Sequence, residues 1–359
     1  MDGSMNLFTN PSSKYSAFKL GTYVNEHWLE FAVGHVNPLW SPRRIKARLA
    51  AKRHETADMA TFTFIPNRNW LGFVPGQFVP LRLTIGGIVH ERYYSVTSAP
   101  QSDLVQLTVK RLPNGRISRY LHDELAIGTV VELGQAQGDF VLPAQVPSRM
   151  LMLAGGAGIT PIYSLITDAL RRQPDADIVL AYYARSDRDF ALLNRLEAAA
   201  RMHRGLLLVR RVDTRYHAED MAEYAPDYAQ REAWACGPAP MLAAIESTYL
   251  DEQLSRQLHT ERFAAIAAAA HTTSGSSQSV TFVRSALQTR SSAATLLQAA
   301  EASGLRPAHG CRMGICNSCS CTKISGSVRH ILTGEINDAP NTEIRICVNE
   351  PLTAVTLDL

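Results

Sequence analysis

Residues 308–321 read AHGCRMGICNSCSC, and this stretch decides the fold of the C-terminal part of the chain. Four residues separate Cys311 from Cys316, two separate Cys316 from Cys319, and 27 separate Cys319 from Cys347. This C-x4-C-x2-C…C spacing is typical of thiolates that hold a [2Fe-2S] cluster. Three thiolates on one tight loop can surround two adjacent irons, and the distant fourth closes the site from another element. The sequence therefore predicts a [2Fe-2S] centre with these four metal ligands.

A zinc site and a chance spacing are the alternatives for these cysteines. Structural zinc usually takes two C-x2-C pairs, and only one such pair occurs here. Gly310 and Gly314 favour the cluster, because residues without a Cβ let the loop backbone curl toward the sulfides. Cys321 lies beside the motif, and we expect it to be a buried cysteine that binds no metal.

The bulk composition is that of an ordinary globular protein. The 359 residues are 46% hydrophobic and 19% charged, which fits two or three domains. A net charge of +3 gives no reason to expect a nucleic-acid partner. No apolar run is long enough to span a bilayer, and the N-terminus lacks the pattern of a secretory signal. We expect a cytoplasmic protein without a transmembrane segment, whose only membrane association would be peripheral, through a membrane partner.

The first large unit, residues 43–146, has the alternation of β-strands bounded by Gly, Pro and Asn. Several short strands at this spacing predict an antiparallel β-barrel. The four clearest candidates are ATFTFIP (60–66), FVPLRLT (78–84), HERYYSV (90–96) and LVQLTVK (104–110).

In the second unit, residues 147–263, strands alternate with helices, which predicts an α/β domain with a parallel sheet. The predicted strands are RMLMLAGG (149–156), IVLAYYA (178–184) and LLLVRRV (206–212). The predicted helices between them are PIYSLITDALRR (161–172) and FALLNRLEAAARM (190–202).

Three further segments complete the division. Residues 1–42 are predicted to be a partly helical N-terminal extension. Residues 264–278 contain only small and polar side chains apart from one isoleucine, and predict a flexible linker. Residues 279–359 form the unit that carries the cysteines.

The tetrad Arg92-Tyr93-Tyr94-Ser95 ends a predicted strand and predicts a flavin site. A guanidinium can pair with a phosphate, an aromatic ring can lie beside the isoalloxazine, and a hydroxyl can approach its reactive N5. A surface strand with cross-strand tyrosines is the alternative.

A second cofactor-binding stretch follows the next strand and opens a short helix, whose free N–H groups favour anions. We expect it to hold the flavin pyrophosphate. Its residues are Val109, Lys110, Gly115, Arg116, Ile117 and Ser118.

A glycine-rich turn between a strand and a helix predicts a dinucleotide diphosphate site, because the backbone can approach the phosphates closely. It departs from GxGxxG, so it is not the usual Rossmann fingerprint. A turn without a ligand is the alternative. The candidate residues are Gly155, Gly156, Gly158, Ile159, Thr160 and Pro161.

A second nucleotide motif, CGPAPM, follows a predicted strand end, where ligands of α/β domains bind. Its candidate residues are Cys236, Gly237, Pro238 and Met241. The motif would place the small, polarisable side chain of Cys236 at this edge of the sheet, a buried structural cysteine being the alternative.

Arg185, Ser186 and Arg188 follow the second strand of this unit, where a ribose 2′-phosphate would lie. Two arginines and a serine suit a ribose 2′-phosphate better than a ribose 2′-hydroxyl, which favours NADPH. Asp187 keeps NADH open, because NADH-binding sites commonly use an acidic residue at this point.

RxYS, GxxS, GGxGITP, CGPxxM and the cysteine string occur here in one order. Together they resemble the ferredoxin–NADP reductase superfamily fused to a C-terminal plant-type ferredoxin, over residues 43–359. The resemblance implies an antiparallel flavin barrel, an α/β nucleotide domain and an α+β ferredoxin domain of the β-grasp type. It also implies FAD as the flavin, although some fused members use FMN.

The resemblance further implies roles for individual residues. Ser95 and Cys236 would be the catalytic residues, at flavin N5 and the nicotinamide respectively. Phe263, in the sequence ERF, would cover the flavin face, ordinary core packing being the alternative.

The resemblance also implies an electron path from NADPH through FAD and the [2Fe-2S] cluster to an oxygen-activating partner. GCRMGICNSC, HILTGE and PLWSPRR resemble reductases that serve membrane acyl-CoA desaturases, which predicts a role in fatty acid desaturation. Reductases of ring-hydroxylating oxygenases and other hydroxylases are the alternative. A redox-sensing iron–sulfur flavoprotein and a plain flavin or ferric reductase with a vestigial cluster are rival hypotheses of other classes.

Overall fold

The fold is seen in a computed structural model that describes residues 33–34, 36–213, 216–263, 277–291, 295–310, 312, 314, 318–331 and 334–359. Most of the predicted extension (1–32 and 35) and most of the predicted linker (264–276) lie outside these residues. The described end of the extension is attached to the first large unit, because Asn67 Nδ2 donates to Leu39 O at 2.9 Å and Asn69 Nδ2 donates to Ser41 O at 2.9 Å. No helix in the described ranges is long and apolar enough to cross a membrane.

The first unit is an antiparallel sheet in the order β4-β3-β6-β1-β2-β5, as predicted. The backbone bridge between Val96 and Leu107 joins the two edges, and so curls the sheet into a barrel. A short helix, α1 (Arg116–Asp123), follows the fifth strand. The six strands are β1 (Ile45–His54), β2 (Met59–Pro66), β3 (Phe78–Ile85), β4 (Ile88–Ser95), β5 (Val105–Lys110) and β6 (Val130–Leu133).

Strands β2 to β5 are the four that the sequence predicts, whereas β1 and β6 were not singled out. The second half of β1 is rich in basic residues and loses the inward-facing alternation that marks its first half. Strand β6 has only four residues, too few for a period-two pattern to stand out. Its place between β3 and β1 is set by long-range pairing.

The second unit is a five-stranded parallel sheet in the order β11-β10-β7-β8-β9, also as predicted. Hydrophobic cores lie on its two faces. Its strands are β7 (Arg149–Gly155), β8 (Asp177–Ala184), β9 (Leu206–Val212), β10 (Glu232–Cys236) and β11 (Leu258–Glu261). Its helices are α2 (Ile159–Arg172), α3 (Leu193–Met202), α4 (Ala218–Tyr224) and α5 (Ala239–Asp251).

Helix α3 begins later than the predicted 190–202. Leu192 has φ 61°, a left-handed backbone that a continuing helix does not allow. Phe190 precedes this point and packs edge-on against Tyr182 with ring centroids 4.9 Å apart. Tertiary packing of the aromatic ring thus replaces the first turn of the predicted helix.

The C-terminal unit has the β-grasp arrangement: a mixed sheet in the order β13-β12-β19-β14-β17, with helix α6 (Leu296–Ala302) packed on its core. The first strand pairs in parallel with the last, which closes the unit. A small sheet, β16-β15-β18, lies beside it. The strands are β12 (Gln278–Phe282), β13 (Leu287–Ser291), β14 (Ser320–Ser325), β15 (Val328–His330), β16 (Ile336–Asn337), β17 (Thr342–Arg345), β18 (Asn349–Pro351) and β19 (Val355–Leu357).

Candidate functional site

A cleft of about 280 Å³ opens between the barrel and the parallel-sheet unit. One wall comes from the ends of β4 and β5 and from the turn into α1, and the other from Ala157 and Thr160 at the start of α2. Phe263, which is 40% exposed, lines the same cleft just after β11. The tetrad at 92–95, the stretch at 109–118 and Phe263 are therefore brought together, as one cofactor pocket requires.

Ser95 carries the clearest sign that this cleft receives a ligand. Its side chain is only 4% exposed, and its Oγ has no hydrogen-bond partner among the described residues. A buried hydroxyl without a partner is costly, so native structures usually satisfy it. A flavin ring with its N5 in this cleft would supply the missing acceptor. The residues present thus fit the cofactor.

The other three tetrad residues lie on the same strand end and line the cleft. Arg92 is exposed, and its Nη1 donates to the Glu91 carbonyl at 2.7 Å. Tyr93 Oη donates to Glu91 Oε1 at 2.7 Å, and its ring packs edge-on against Phe78. Burial raises the pKa of Tyr94, so its phenol stays neutral and keeps its O–H as a hydrogen-bond donor.

The turn into α1 lines the cleft with Leu112, Gly115 and Ser118. Ser118 Oγ accepts a hydrogen bond from the Leu112 amide at 3.1 Å and lies 3.3 Å from the Gly115 carbonyl, so the hydroxyl shapes the turn. A Cβ at Gly115 would lie 2.3 Å from that hydroxyl, which explains the glycine. Arg116 Nη1 lies 3.2 Å from His90 Nε2, at the rim.

The apolar part of this stretch supports the cleft from below. Val109 and Ile117 belong to the barrel core, and each is at most 2% exposed. Lys110 lies at the end of β5, and its Nζ is 3.4 Å from Asp58 Oδ2.

The glycine-rich turn after β7 is packed against the end of β10. A Cβ at Gly158 would lie 1.9 Å from the Cys236 carbonyl, and one at Gly155 would lie 2.6 Å from Met241 Sδ. Gly156 has φ +54°. Only glycines allow the two strand ends to approach so closely.

The start of α2 completes this turn. Thr160 Oγ1 donates to the Ala157 carbonyl at 3.0 Å and closes the first turn of the helix. Ile159 is fully buried and Pro161 is also buried, so both side chains support the turn from within. Their predicted contact with the diphosphate would have to come through the backbone.

Cys236 lies at the carboxyl end of β10, where the sequence places it, and it is fully buried. Burial raises the pKa of its thiol well above the usual value, with Glu261 adding to the effect. Cys236 is therefore a neutral thiol and no nucleophile.

Glu261 is a candidate functional residue that the sequence analysis missed. It pairs in register with Cys236 across β10 and β11, is 2% exposed, and its Oε2 has no partner among the described residues. Burial raises the pKa of this carboxyl to about 8, so it is mostly protonated at neutral pH. The sequence feature that could have pointed to Glu261 is an acidic residue at the end of a short strand, two positions before Phe263.

A second cavity, of about 170 Å³, continues from the glycine-rich turn toward the end of β8. Pro238 and Met241 line it, and Gly237 packs against Gly155. Arg185 lines its far end, whereas Ser186 and Arg188 lie outside its described wall. Further lining residues that the sequence did not single out are Met59, Tyr183, Asp189 and Asp213.

Two of the four predicted cluster ligands, Cys311 and Cys316, lie outside the described residues. The other two are 2% and 5% exposed, and they meet where β14 and β17 join. The Ile346 amide donates to the Cys319 carbonyl at 3.2 Å, which places Cys347 beside Cys319 although 27 residues separate them. The distant fourth cysteine thus comes from another element, as the spacing requires.

Two described residues near these cysteines, Gly314 and Cys321, are closely packed. Gly314 has φ +75°, and a Cβ there would lie 2.8 Å from Val348 Cγ1. Cys321 is the second residue of β14 and is 7% exposed. Its Sγ lies 3.6 Å from the Thr322 carbonyl oxygen. Burial raises the pKa of Cys321 to about 11, in keeping with a core cysteine. The described residues alone contain no group of three or more ligand-type side chains, since half of the cysteine set lies outside them.

Three family models match the chain in succession: the oxidoreductase FAD-binding domain over residues 46–142, the oxidoreductase NAD-binding domain over 152–247 and the 2Fe-2S iron-sulfur cluster binding domain over 284–351. An NADPH oxidoreductase of Mycobacterium tuberculosis (strain ATCC 25618 / H37Rv) is 36% identical over 332 residues, covering 90% of this chain and 86% of the relative. The chain belongs to this family of FAD- and [2Fe-2S]-dependent oxidoreductases. Its cofactors are FAD, NAD(P)H and a [2Fe-2S] cluster.

Two further similar proteins are, by name, reductases of oxygenase systems. The glycine betaine monooxygenase reductase subunit of Pseudomonas aeruginosa (strain UCBPP-PA14) is 30% identical over 352 residues, covering 89% of this chain and 96% of the relative. Phthalate dioxygenase reductase has the same fold, with a TM-score of 0.56 at 22% identity, covering 88% of this chain and 98% of that chain. The predicted fold class and cofactor set are confirmed, whereas a special closeness to desaturase reductases is not shown.

Proposed function

We propose that this reductase is the electron-donating component of an oxygen-activating system, and that it passes electrons from NAD(P)H to a monooxygenase or hydroxylase partner. The observation that carries the proposal is a single cleft lined both by Ser95, whose hydroxyl has no partner among the described residues, and by Ala157 of the glycine-rich turn. FAD supplies the exchange between two-electron hydride chemistry and single electrons, and the cluster carries single electrons outward.

The chain's own residues would orient this chemistry. Ser95 would donate a hydrogen bond inside the cleft. The glycines of the turn at 155–158 would let the protein backbone approach the nucleotide closely. The buried, neutral side chains of Cys236 and Glu261 would keep the strand ends behind this turn uncharged. Phe263, which lines the cleft, would cover the flavin face.

The class of acceptor follows from the relatives' names. The Pseudomonas relative is a monooxygenase reductase subunit, and the match extends over nearly its whole length. This favours a monooxygenase or hydroxylase over the acyl-CoA desaturase that the sequence analysis predicted. The desaturase stays a prediction, to be compared with oxygenases in a panel of reconstituted acceptors.

A pair of adjacent cysteines gives the decisive experiment. Cys319→Ser would remove a proposed ligand, whereas Cys321→Ser changes a neighbouring buried thiol outside the motif. With NADPH as donor, we expect Cys319→Ser to keep ferricyanide reduction and to lose cytochrome c reduction together with the visible cluster spectrum. Cys321→Ser should keep both activities.

Equal loss of both activities in Cys319→Ser, at normal FAD content, would rule out a relay through the cluster. Slow cytochrome c reduction by the unaltered protein would instead support the sensing hypothesis. Unchanged cytochrome c reduction in Cys319→Ser would support a flavin reductase with a vestigial cluster.

A further inference from the structure

The cavity beyond the glycine-rich turn contains a contact between the barrel and the nucleotide unit. Arg185 Nη2 at the end of β8 donates to Asp58 Oδ2 at 2.9 Å, and Asp58 lies in the turn between β1 and β2. Lys110 Nζ, also from the barrel, is 3.4 Å from the same oxygen. One carboxylate thus engages both cationic side chains that line the cavity.

Asp58 is held in place by its own turn. Thr56 Oγ1 donates to Asp58 Oδ1 at 3.1 Å, and the Arg111 amide donates to the Asp58 carbonyl at 2.6 Å. The carboxylate is therefore positioned before any ligand arrives. Little side-chain entropy is lost when it binds Arg185.

Two of the three groups predicted to bind a 2′-phosphate, Arg185 and Ser186, are already engaged by carboxylates. Besides Asp58, Asp189 accepts a hydrogen bond from Ser186 Oγ at 3.1 Å and lies 3.5 Å from Arg185 Nε. A phosphate that approaches Arg185 would have to displace Asp58 or lie close to its charge, and either is unfavourable. A ribose hydroxyl carries no such charge and can donate to a carboxylate.

We propose that Asp58 determines which nucleotide the protein prefers. Its carboxylate reaches from the flavin barrel into the nucleotide unit and holds Arg185. There it disfavours a nucleotide with a ribose 2′-phosphate relative to one with a 2′-hydroxyl. This inference rests on the proposed function, because it concerns the donor of the same electron path. It makes selection between NADPH and NADH a joint property of the two units.

Binding of adenine nucleotides tests this without any electron transfer. Calorimetry on the FAD-loaded protein compares 2′,5′-ADP, which carries the 2′-phosphate, with 5′-AMP, which lacks it. For Asp58→Asn we expect the affinity for 2′,5′-ADP relative to 5′-AMP to rise about three- to tenfold, a modest factor because the Arg185 side chain is 57% exposed and partly screened. The ratio of kcat/KM for NADPH over NADH, with ferricyanide as acceptor, should rise by the same factor.

Two further variants decide whether the effect acts through Arg185. Asp175→Asn makes the same change at an exposed position before the opposite end of β8, and it should leave both ratios unchanged. In an Arg185→Gln background, Asp58→Asn should raise the ratio of the two affinities little further, because the guanidinium that Asp58 holds is gone.

If Asp58→Asn changes the affinities for 2′,5′-ADP and 5′-AMP by the same factor, Asp58 only joins the two units, and the proposal is overturned. A full gain in the Arg185→Gln background, or unchanged ratios, would also overturn it. Absence of ferricyanide reduction with either nucleotide would instead contradict the proposed function, while the binding ratios would still report on Asp58.

Discussion

Cys236 and Glu261 are register partners at the ends of the neighbouring parallel strands β10 and β11, and both side chains are buried. Neither is charged at neutral pH, because burial raises the pKa of the thiol well above its usual value and that of the carboxyl to about 8. The pair makes the stability of the unit depend on pH.

Glu261→Gln should become more stabilising as the pH rises. Between the ordinary pKa of 4.5 and the raised value of about 8, the folded protein keeps a proton that the unfolded chain releases. The free energy of unfolding of the unaltered protein therefore falls across this range, and glutamine removes that loss. We expect the melting temperature of Glu261→Gln minus that of the unaltered protein to grow by roughly 5 °C between pH 5 and pH 9.

Scanning calorimetry at several pH values measures this difference. Glu219→Gln, at an exposed position on α4, is the matched control and should show no such trend. A melting-temperature difference between Glu261→Gln and the unaltered protein that stays constant with pH would contradict a raised pKa of the Glu261 carboxyl.

Ser95→Ala should slow flavin reduction without removing the flavin. The serine hydroxyl is buried and has no partner among the described residues, so its hydrogen bond is available to the cofactor. Losing one such bond near the reacting atoms should lower the rate of flavin reduction about tenfold. Stopped-flow absorbance with NADPH measures that rate, and the FAD content is determined alongside. Loss of FAD with an unchanged rate in the loaded fraction would make Ser95 a binding group only.

Lys323→Met should destabilise the C-terminal unit. Lys323 is fully buried on β14, and its Nζ donates to the Gly326 and Ala339 carbonyls at 2.7 Å each. Methionine fills the space but leaves both acceptors without that donor, which should cost about 2 kcal/mol. The urea midpoint for loss of the visible cluster circular dichroism reports this change.

The control for Lys323 is Arg284→Gln, which breaks an exposed ion pair with Asp358 in the same unit. Exposed pairs contribute little, so its midpoint should not move measurably. Equal midpoints for Lys323→Met and the unaltered protein would show that the two carbonyls find other donors.

Arg345→Gln should lower the reduction potential of the cluster. Arg345 Nη1 donates to the carbonyl of Gly314 in the cysteine loop, and Nη2 lies 3.4 Å from Asp139 Oδ2 in the barrel unit. A nearby cation stabilises the more negative, reduced cluster, and its removal should lower the potential by tens of millivolts. Redox titration followed by electron paramagnetic resonance measures the shift.

Arg345→Lys, which keeps the charge, should restore most of the potential. Asp139→Asn should have little effect, because the Asp139 side chain is 87% exposed and screened by solvent. An unchanged or raised potential in Arg345→Gln would show that the guanidinium acts only on loop structure.

Most of the architecture could be predicted from the sequence, because its signals are local. Period-two alternation marks β2 to β5, and strands that alternate with helices mark the parallel sheet. The motifs at 92–95, 115–118 and 155–161 lie at strand ends and helix starts, which is where such turns bind phosphates. The cysteine spacing likewise depends on one loop and one later residue. These features need only neighbouring residues to be recognised.

Other features were decided by the tertiary structure alone, because they depend on register and on contacts between units. The place of β6 between β3 and β1 follows from long-range pairing of a four-residue strand. Glu261 lies beside Cys236 only because β11 pairs with β10 in that register. Asp58 reaches Arg185 across 127 positions of the chain. No local pattern encodes such distances, since the chain meets itself there only after both units have folded and packed.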